Sequence, residues 1–215
     1  MKKLILGMLA AVVMTASVSA IEFSAGGGFG TIIGQFQNND NAFSAVGASP
    51  VFGIVGNADF NGWGVQVSID INRKTNDKLV SNLYTEKSSD TDTILALTPY
   101  FTFKLGEFTF AAGPAFAIDF YSYNYNYTPV AGDGVTIKSS ATTVMLGGLF
   151  EARKSITDHV GAYVSLPVIY QGASQKAGSY TYNGVAATPS PDYDKWAGWY
   201  AWLKFAPKIG VVYKF

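Results

Sequence analysis

The chain has 215 residues, of which 15 are basic and 15 are acidic, so its formal net charge is +0 at pH 7. This balance argues against a nucleic-acid partner, which would need a basic surface. The absence of cysteine excludes a disulfide framework and a cysteine-based zinc site. With one histidine in the chain, we expect no metal or other cofactor.

The first twenty residues have the pattern of a secretory signal peptide. Lys2 and Lys3 are followed by an apolar run at 4–14 and by small residues up to Ala20. The apolar run is too short for a membrane-spanning helix, which needs about 20 apolar residues. The sequence therefore predicts an exported protein with a signal peptide at 1–20 and a single domain at 21–215.

Eight segments of the mature chain alternate apolar and polar residues, which is the signal of a strand with two different sides. In the clearest one, Trp63, Val65, Val67, Ile69 and Ile71 alternate with small or polar residues. The eight predicted strands lie at 21–33, 51–60, 63–72, 94–105, 108–120, 143–153, 160–170 and 206–215. Segment 143–153 departs from the pattern, because Met145 and Leu149 fall on its polar side.

The connections between these segments alternate strictly between short and long. The short ones are Asn61-Gly62, a strong hairpin signal, Gly106-Glu107, and 154–158. The long, polar ones are 34–50, 73–93, 121–142 and 171–205. An up-and-down barrel with short periplasmic turns and long outer loops produces this alternation. The sequence predicts an all-β, eight-stranded antiparallel transmembrane β-barrel, and a soluble periplasmic barrel or sandwich is the alternative that composition allows.

Charged residues are confined to one side of the predicted strands. An arginine or lysine facing lipid at the bilayer midplane would cost about 2–4 kcal/mol, so we assign the uncharged side to lipid. The predicted lumen charge network consists of Glu22, Asp70, Lys104, Asp119, Glu151, Arg153 and Lys208.

This network has two interpretations. It plugs the barrel, or it lines a narrow path, for which small residues such as Gly26, Gly28 and Gly30 would leave room. An eight-stranded interior is just wide enough for side chains, which favours the plug.

Three prolines fall inside predicted strands, where each removes a ladder hydrogen bond. They are Pro99, Pro114 and Pro167. β-Bulges would accommodate them, and a simple bend is the alternative for Pro114.

A run of tyrosines is the most unusual local feature. Tyr121, Tyr123, Tyr125 and Tyr127 keep the period of two but move the aromatic residues from even to odd positions. Either the strand leaves the membrane and its lumen side becomes aromatic, or a bulge resets the register. The segment 180–182, Tyr-Thr-Tyr, is expected to pair with this run or to stack near it. The run is a candidate surface for a host molecule, a sugar or an apolar ligand, or else an interfacial girdle on a rigid hairpin.

The chain has a single histidine, His159, which is the candidate for a general base. It follows a short turn and so lies away from the outer leaflet, where the lipid-modifying enzymes built on similar barrels are implied to act. We find no nucleophile–base pair in the sequence and predict no catalytic residue and no enzymatic activity.

The chain ends in the middle of a strand pattern on an aromatic residue. Ile209, Val211, Tyr213 and Phe215 share one side of this strand. With its signal peptide, eight alternating segments and terminal Phe215, the mature chain resembles the small eight-stranded outer-membrane proteins, namely the OmpA transmembrane domain, OmpX and OmpW group.

This resemblance implies a location in the bacterial outer membrane, contact with its lipid, and recognition by the barrel-assembly machinery through Tyr213 and Phe215. It also implies a range of roles, from structural anchors and adhesion or defence proteins to conduits for small apolar molecules. We expect a structural or adhesin-like role in which long outer loops contact host or other extracellular molecules. A narrow channel or conduit for small solutes or small apolar molecules is the alternative.

Overall fold

The computed structural model describes residues 21–37, 43–80, 84–129, 134–171, 177–186 and 201–215. The predicted signal peptide at 1–20 lies outside the described residues. Every regular element in the described part is a β-strand. No helix there is long and apolar enough to cross a membrane.

Eleven strands follow one another along the described chain. They are β1 (Glu22–Gln37), β2 (Phe43–Phe60), β3 (Trp63–Val80), β4 (Tyr84–Leu105), β5 (Phe108–Pro129), β6 (Val135–Ser155), β7 (Val160–Gln171), β8 (Ala177–Tyr182), β9 (Val185–Ala186), β10 (Ala201–Phe205) and β11 (Lys208–Lys214).

Strands β1 to β7 are antiparallel neighbours in chain order, and β10 and β11 together fill the eighth position. Both β10 and β11 pair with β1 on one side and with β7 on the other. Gly28 lies opposite Gly210, and Ile33 lies opposite Phe205, in the same register. The ring is therefore closed, and the predicted eight-stranded up-and-down barrel is confirmed.

The two sides of the strands differ as the alternation predicts. On the outer side, Phe29 is 69% exposed and Val144 is 71% exposed, whereas Met145 on the inner side is 1% exposed. Met145 and Leu149 are both buried, so β6 has the predicted register despite these two apolar residues. Phe60 has the outward parity but is buried, because its ring stacks on Trp63 with 4.6 Å between the ring centroids.

The β-bulges considered for the prolines are not observed. Pro99 and Pro114 lie opposite each other, and pairing between β4 and β5 stops at Leu97–Phe116 and resumes at Phe101–Ala112 in unchanged register. Pro167 falls where pairing with the eighth position passes from β11 to β10, also without a shift. The two prolines share one gap of the ladder, and neither proline has an N–H that a ladder hydrogen bond would use.

Where the structure describes them, the long connections are mostly strands rather than loops. Pairing of β3 with β4 extends to Val80–Tyr84, and pairing of β5 with β6 extends to Tyr127–Val135. β8 then continues the sheet beyond β6, and β9 pairs with β8. We call residues 73–80, 84–93, 121–129 and 135–142, together with β8 and β9, the raised sheet. The opposite end of the barrel carries the short turns and is called the turn end.

Turn geometry explains why the turn end is compact. Asn61 has φ 20° and Gly62 has φ 91°, values that suit the two central residues of a tight hairpin. Gly106 has φ 61° in the second turn. Glycine adopts this left-handed region without the steric cost that a Cβ atom adds.

Two tyrosine rings fill the space that glycines leave in the lumen. A Cβ on Gly210 would lie 2.6 Å from the ring of Tyr163, and a Cβ on Gly64 would lie 2.7 Å from the ring of Tyr100. The small lumen residues are thus covered by aromatic side chains, and at these two places they leave no gap.

We predict that Gly210→Ala lowers the unfolding free energy by about 1–3 kcal/mol, because the added methyl group overpacks the lumen against Tyr163 and the backbone. Gly56→Ala is the matched control, since a Cβ there meets nothing within 4 Å. Urea unfolding of refolded protein in detergent measures both. Equal stability of the two variants would contradict this packing.

We predict that Phe215→Ala impairs assembly in cells far more than it impairs refolding in detergent. Phe215 is 79% exposed, so its ring contributes little packing, while its backbone nitrogen donates to the Phe23 oxygen at 3.0 Å in either variant. Phe103→Ala, at another lipid-facing phenylalanine, is the control. The fraction of heat-shifted, folded protein in membranes is compared with the fraction refolded from urea. Parallel losses in both assays would argue for a purely structural role of Phe215.

Candidate functional site: the lumen groups and the tyrosine face

Arg153 is the centre of an ionic group near the turn end of the lumen. Its guanidinium pairs with Asp59 at 3.0 Å and with Glu151. It also lies 4.9 Å from the ring centroid of Tyr100, whose hydroxyl donates to Asp59 at 2.7 Å. The planar guanidinium, with five donors, can satisfy several acceptors at once, which suits a crowded interior.

Amide side chains extend this group across the lumen. Gln66 donates from Nε2 to Asn57 at 3.0 Å and to Glu151 at 3.2 Å. Asn57 in turn donates to Ser24 at 3.2 Å and accepts from Arg153 at 3.1 Å. The contacts join β1, β2, β3 and β6, so side chains cross-link strands that are not neighbours in the barrel.

A second ionic group lies deeper in the lumen, where Lys208 pairs with Asp70. Both side chains are almost completely buried. Ser165 lies beside Lys208 and Glu151 in register. Its hydroxyl has no hydrogen-bond partner among the described residues, as is also true of the Tyr163 hydroxyl. Buried polar groups of this kind commonly form hydrogen bonds with internal water.

The third ionic group lies toward the raised sheet. Lys204 pairs with Asp119 at 2.7 Å and with Asp92 at 3.3 Å. Ala206, which separates Lys204 from Lys208 along the chain, belongs to a buried apolar cluster that also contains Ile94 and Met145. Charged and apolar side chains together fill the lumen at these levels.

Of the seven residues predicted for the lumen charge network, Asp70, Asp119, Glu151, Arg153 and Lys208 lie in these three groups. The placement of Glu22 and Lys104 in the network needs correction, because both side chains are exposed. The alternation places both residues on the inner side of their strands. Glu22 begins β1 and Lys104 is the penultimate residue of β4, so both lie at the end of the barrel, where the lumen opens to solvent.

Three members of the ionic groups are absent from the predicted network. Asp59 lies on the side of β2 that the alternation assigns to the lumen, where it pairs with Arg153. Asp92 and Lys204 fall in segments predicted as loops, 73–93 and 171–205. Extending the period of two past the apolar stretch would have placed both on the lumen side.

The tyrosine run continues the inner side of β5 beyond the lumen. β5 pairs with both neighbours in constant register from Phe108 to Tyr127, so Tyr121, Tyr123, Tyr125 and Tyr127 have the same parity as Asp119. The strand therefore leaves the membrane with an aromatic lumen side, which is the first of the two alternatives that the sequence offered, and no bulge resets the register. We call this side of the raised sheet the tyrosine face.

Carboxylates of β4 hold two of these tyrosines. The Tyr121 hydroxyl donates to Asp90 at 2.9 Å, and the Tyr125 hydroxyl donates to Glu86 at 3.1 Å. Partial burial raises the pKa of Asp90, and the hydrogen bond from Tyr121 opposes this rise. The pKa of Tyr125 is raised by burial and by its bond to Glu86. The hydroxyls are thus anchored as neutral donors to acidic partners.

Ring contacts add further order to the tyrosine face. The rings of Tyr123 and Tyr125 are 6.5 Å apart at an angle of 14°, and those of Tyr84 and Tyr127 are 5.2 Å apart. β8 pairs with β6 and not with β5, so Tyr182 lies opposite Ile137, one strand away from Tyr125. Of the two alternatives for 180–182, direct pairing with the tyrosine run is therefore not observed, and Tyr182 lies near the run with β6 between them.

His159 lies at the turn end, where its side chain is exposed. Its ring stacks on Tyr213 at 5.8 Å, and its Nδ1 atom lies 3.4 Å from the Lys214 carbonyl oxygen. Among the described residues there is no group of three histidine, cysteine or carboxylate side chains that would suit a metal ion.

Comparison with known proteins identifies similar solved structures. Ail, the attachment invasion locus protein of Yersinia pestis, is 12% identical with a TM-score of 0.50, and the match covers 90% of this chain and 99% of that one. A second structure of Ail, in complex with the heparin analogue sucrose octasulfate, has a TM-score of 0.49 over the same shares. A major outer membrane protein from Thermus thermophilus is 15% identical with a TM-score of 0.50, over 92% of this chain and all of that one.

No protein-family model matches the chain, and no curated protein matches it. At 12–15% identity the likeness extends to the fold alone. The chain has the fold of the small eight-stranded β-barrels of the bacterial outer membrane, and the outer membrane is the location that belongs to this fold.

Proposed function

We propose that this protein is a surface-interaction protein of the outer membrane, and that the tyrosine face of the raised sheet contacts extracellular molecules. The observation that carries the proposal is the unbroken register of β5, which brings four tyrosines from the lumen side onto a sheet outside the apolar band. Tyrosine supplies large, amphipathic contact area at low cost in conformational entropy. Bonds to Asp90 and Glu86 lower that cost further, because they order the side chains before a ligand arrives.

The raised sheet supports this role better than flexible loops would. Its strands are paired over most of the length that the sequence assigned to loops, so the contact surface is largely preformed. A preformed surface loses less entropy on binding than a loop that must be ordered. The adhesin-like role therefore rests on a sheet face and not on connections such as 130–133, which lie outside the described residues.

The alternative, a narrow conduit, has less support. Three ionic groups and an apolar cluster occupy the lumen, and the rings of Tyr163 and Tyr100 cover Gly210 and Gly64. Moving an ion through would require these pairs to separate in a low-dielectric interior, which costs several kcal/mol per uncompensated charge. We propose that the lumen side chains stabilise the barrel and do not conduct.

We also propose that the protein is not an enzyme. His159 is the only histidine of the chain, and its ring contacts are with Tyr213 and the Lys214 backbone and not with a nucleophile. Its place at the turn end separates it from the outer leaflet.

We predict negligible conductance for the refolded protein in planar bilayers, with a 16-stranded porin as the positive control. The physical reason is the filled lumen, since water-filled pores need about 16 strands. Liposome swelling with small sugars gives an independent readout. Large, reproducible channels would favour the conduit.

We predict that replacing Tyr121, Tyr123, Tyr125 and Tyr127 together by serine reduces adherence of bacteria displaying the protein to epithelial cells and to immobilised matrix proteins. A loss of roughly fivefold or more is expected if the tyrosines include binding hot spots. The matched control replaces Ser122, Asn124 and Asn126 by alanine, which alters the other face of the same strand. Heat-shifted mobility on gels verifies that each variant is folded. Unchanged adherence of the tyrosine variant, with folded protein at the surface, would refute the role of this face.

A further inference from the structure

Strand alternation sorts charges between the two faces of the raised sheet. By register, the tyrosine face carries Glu86, Asp90 and Asp92 on β4 and Lys74 on β3. The opposite face carries Arg73, Lys87 and Lys138. Among the side chains that the structure describes, acidic residues outnumber basic ones on the tyrosine face, and the reverse is true on the other face.

The carboxylates of β4 lie next to the tyrosine rings of β5. Lys74 lies on β3 opposite Asp90, on the side of β4 away from the tyrosines. Asp90 and Glu86 accept hydrogen bonds from Tyr121 and Tyr125, and Asp92 contacts Lys204 at the mouth of the lumen. A carboxylate that accepts a bond from a phenol keeps its negative charge and has a second oxygen for another donor. The strip formed by β4 and β5 is therefore both aromatic and acidic.

This combination selects for one class of ligand. Aromatic ring faces attract lysine and arginine cations through their quadrupole, and carboxylates beside the rings attract the same groups. A polyanion would meet repulsion from Glu86 and Asp90 on the same strip. Since the two effects act in the same direction, charge complementarity points to a cationic partner.

We infer that the tyrosine face binds lysine- and arginine-rich segments of extracellular proteins. The inference deepens the surface-interaction role proposed above and rests on it. Each basic side chain of the partner would place its charge over a tyrosine ring and against Glu86 or Asp90, while its aliphatic part packs along the neighbouring rings.

The test measures binding of a short fluorescent oligolysine peptide to the purified full-length mature protein in an uncharged detergent, by fluorescence anisotropy. The Glu86→Gln, Asp90→Asn double variant keeps an oxygen that accepts from each tyrosine but removes both charges. We expect its affinity for oligolysine to fall by roughly fivefold to tenfold, and the wild-type affinity to fall with added salt. Tyr123→Ala with Tyr125→Ala should weaken binding to a similar extent.

The matched control is the Glu22→Gln, Glu107→Gln double variant, which removes two exposed acidic charges at the turn end. It changes the net charge by the same amount and should leave the affinity for oligolysine unchanged. An equal loss in this control would overturn the inference, because it would make the attraction a property of net charge.

Oligoglutamate and heparin serve as anionic probes in the same assay. Tighter binding of either one than of oligolysine would overturn the cationic assignment and leave the adherence result standing. Oligolysine binding that depends on Glu86 and Asp90, combined with adherence that is indifferent to the four tyrosines, would instead refute the proposed function and leave the ligand chemistry intact.

Discussion

The structure depends on one constraint, which is that each barrel strand separates lipid from a narrow interior. The period of two forces successive side chains to opposite sides, so within the apolar band each strand presents an uncharged outer side and keeps its charged side chains on the inner side. Val144 and Met145 show how sharp the division is, since adjacent residues are 71% and 1% exposed. No backbone group in the hydrocarbon region can rely on water, and closure of the ring by β10 and β11 removes the free edges.

The same constraint explains the chemistry of the lumen. Charges that cannot face lipid are placed inside, where they need partners because an unpaired buried charge is costly. Each of the three cations in the lumen has a carboxylate partner on a different strand. They are Arg153, Lys204 and Lys208. Arg153 also pairs with Glu151, two residues away on the same strand. The lumen is therefore better understood as a cross-linked core than as a passage.

Beyond the apolar band the side chains still alternate between the two sides, but the types of residue on each side change. Once the strands leave lipid, the outer side no longer needs apolar residues, and it becomes polar at Ser122, Asn124 and Asn126. The inner side no longer has to fit a closed ring, so it can hold the large rings of Tyr123 and Tyr125. The shift of aromatic residues from even to odd positions along β5 is thus the mark of the membrane boundary and not of a bulge.

The sequence alone determined the fold class, the strand number and the side of each strand that faces lipid, because alternation and the lengths of connections are local properties. It predicted most of the lumen charges for the same reason. It did not determine where the strands end, since polar residues in a strand outside the membrane look like loop residues, and so Asp92 and Lys204 were missed. Three features depend on barrel register: the carboxylate that each cation contacts, the position of Pro99 opposite Pro114, and the bonds from Tyr121 and Tyr125 to β4. Register joins residues far apart in the chain, so only the tertiary structure decides it.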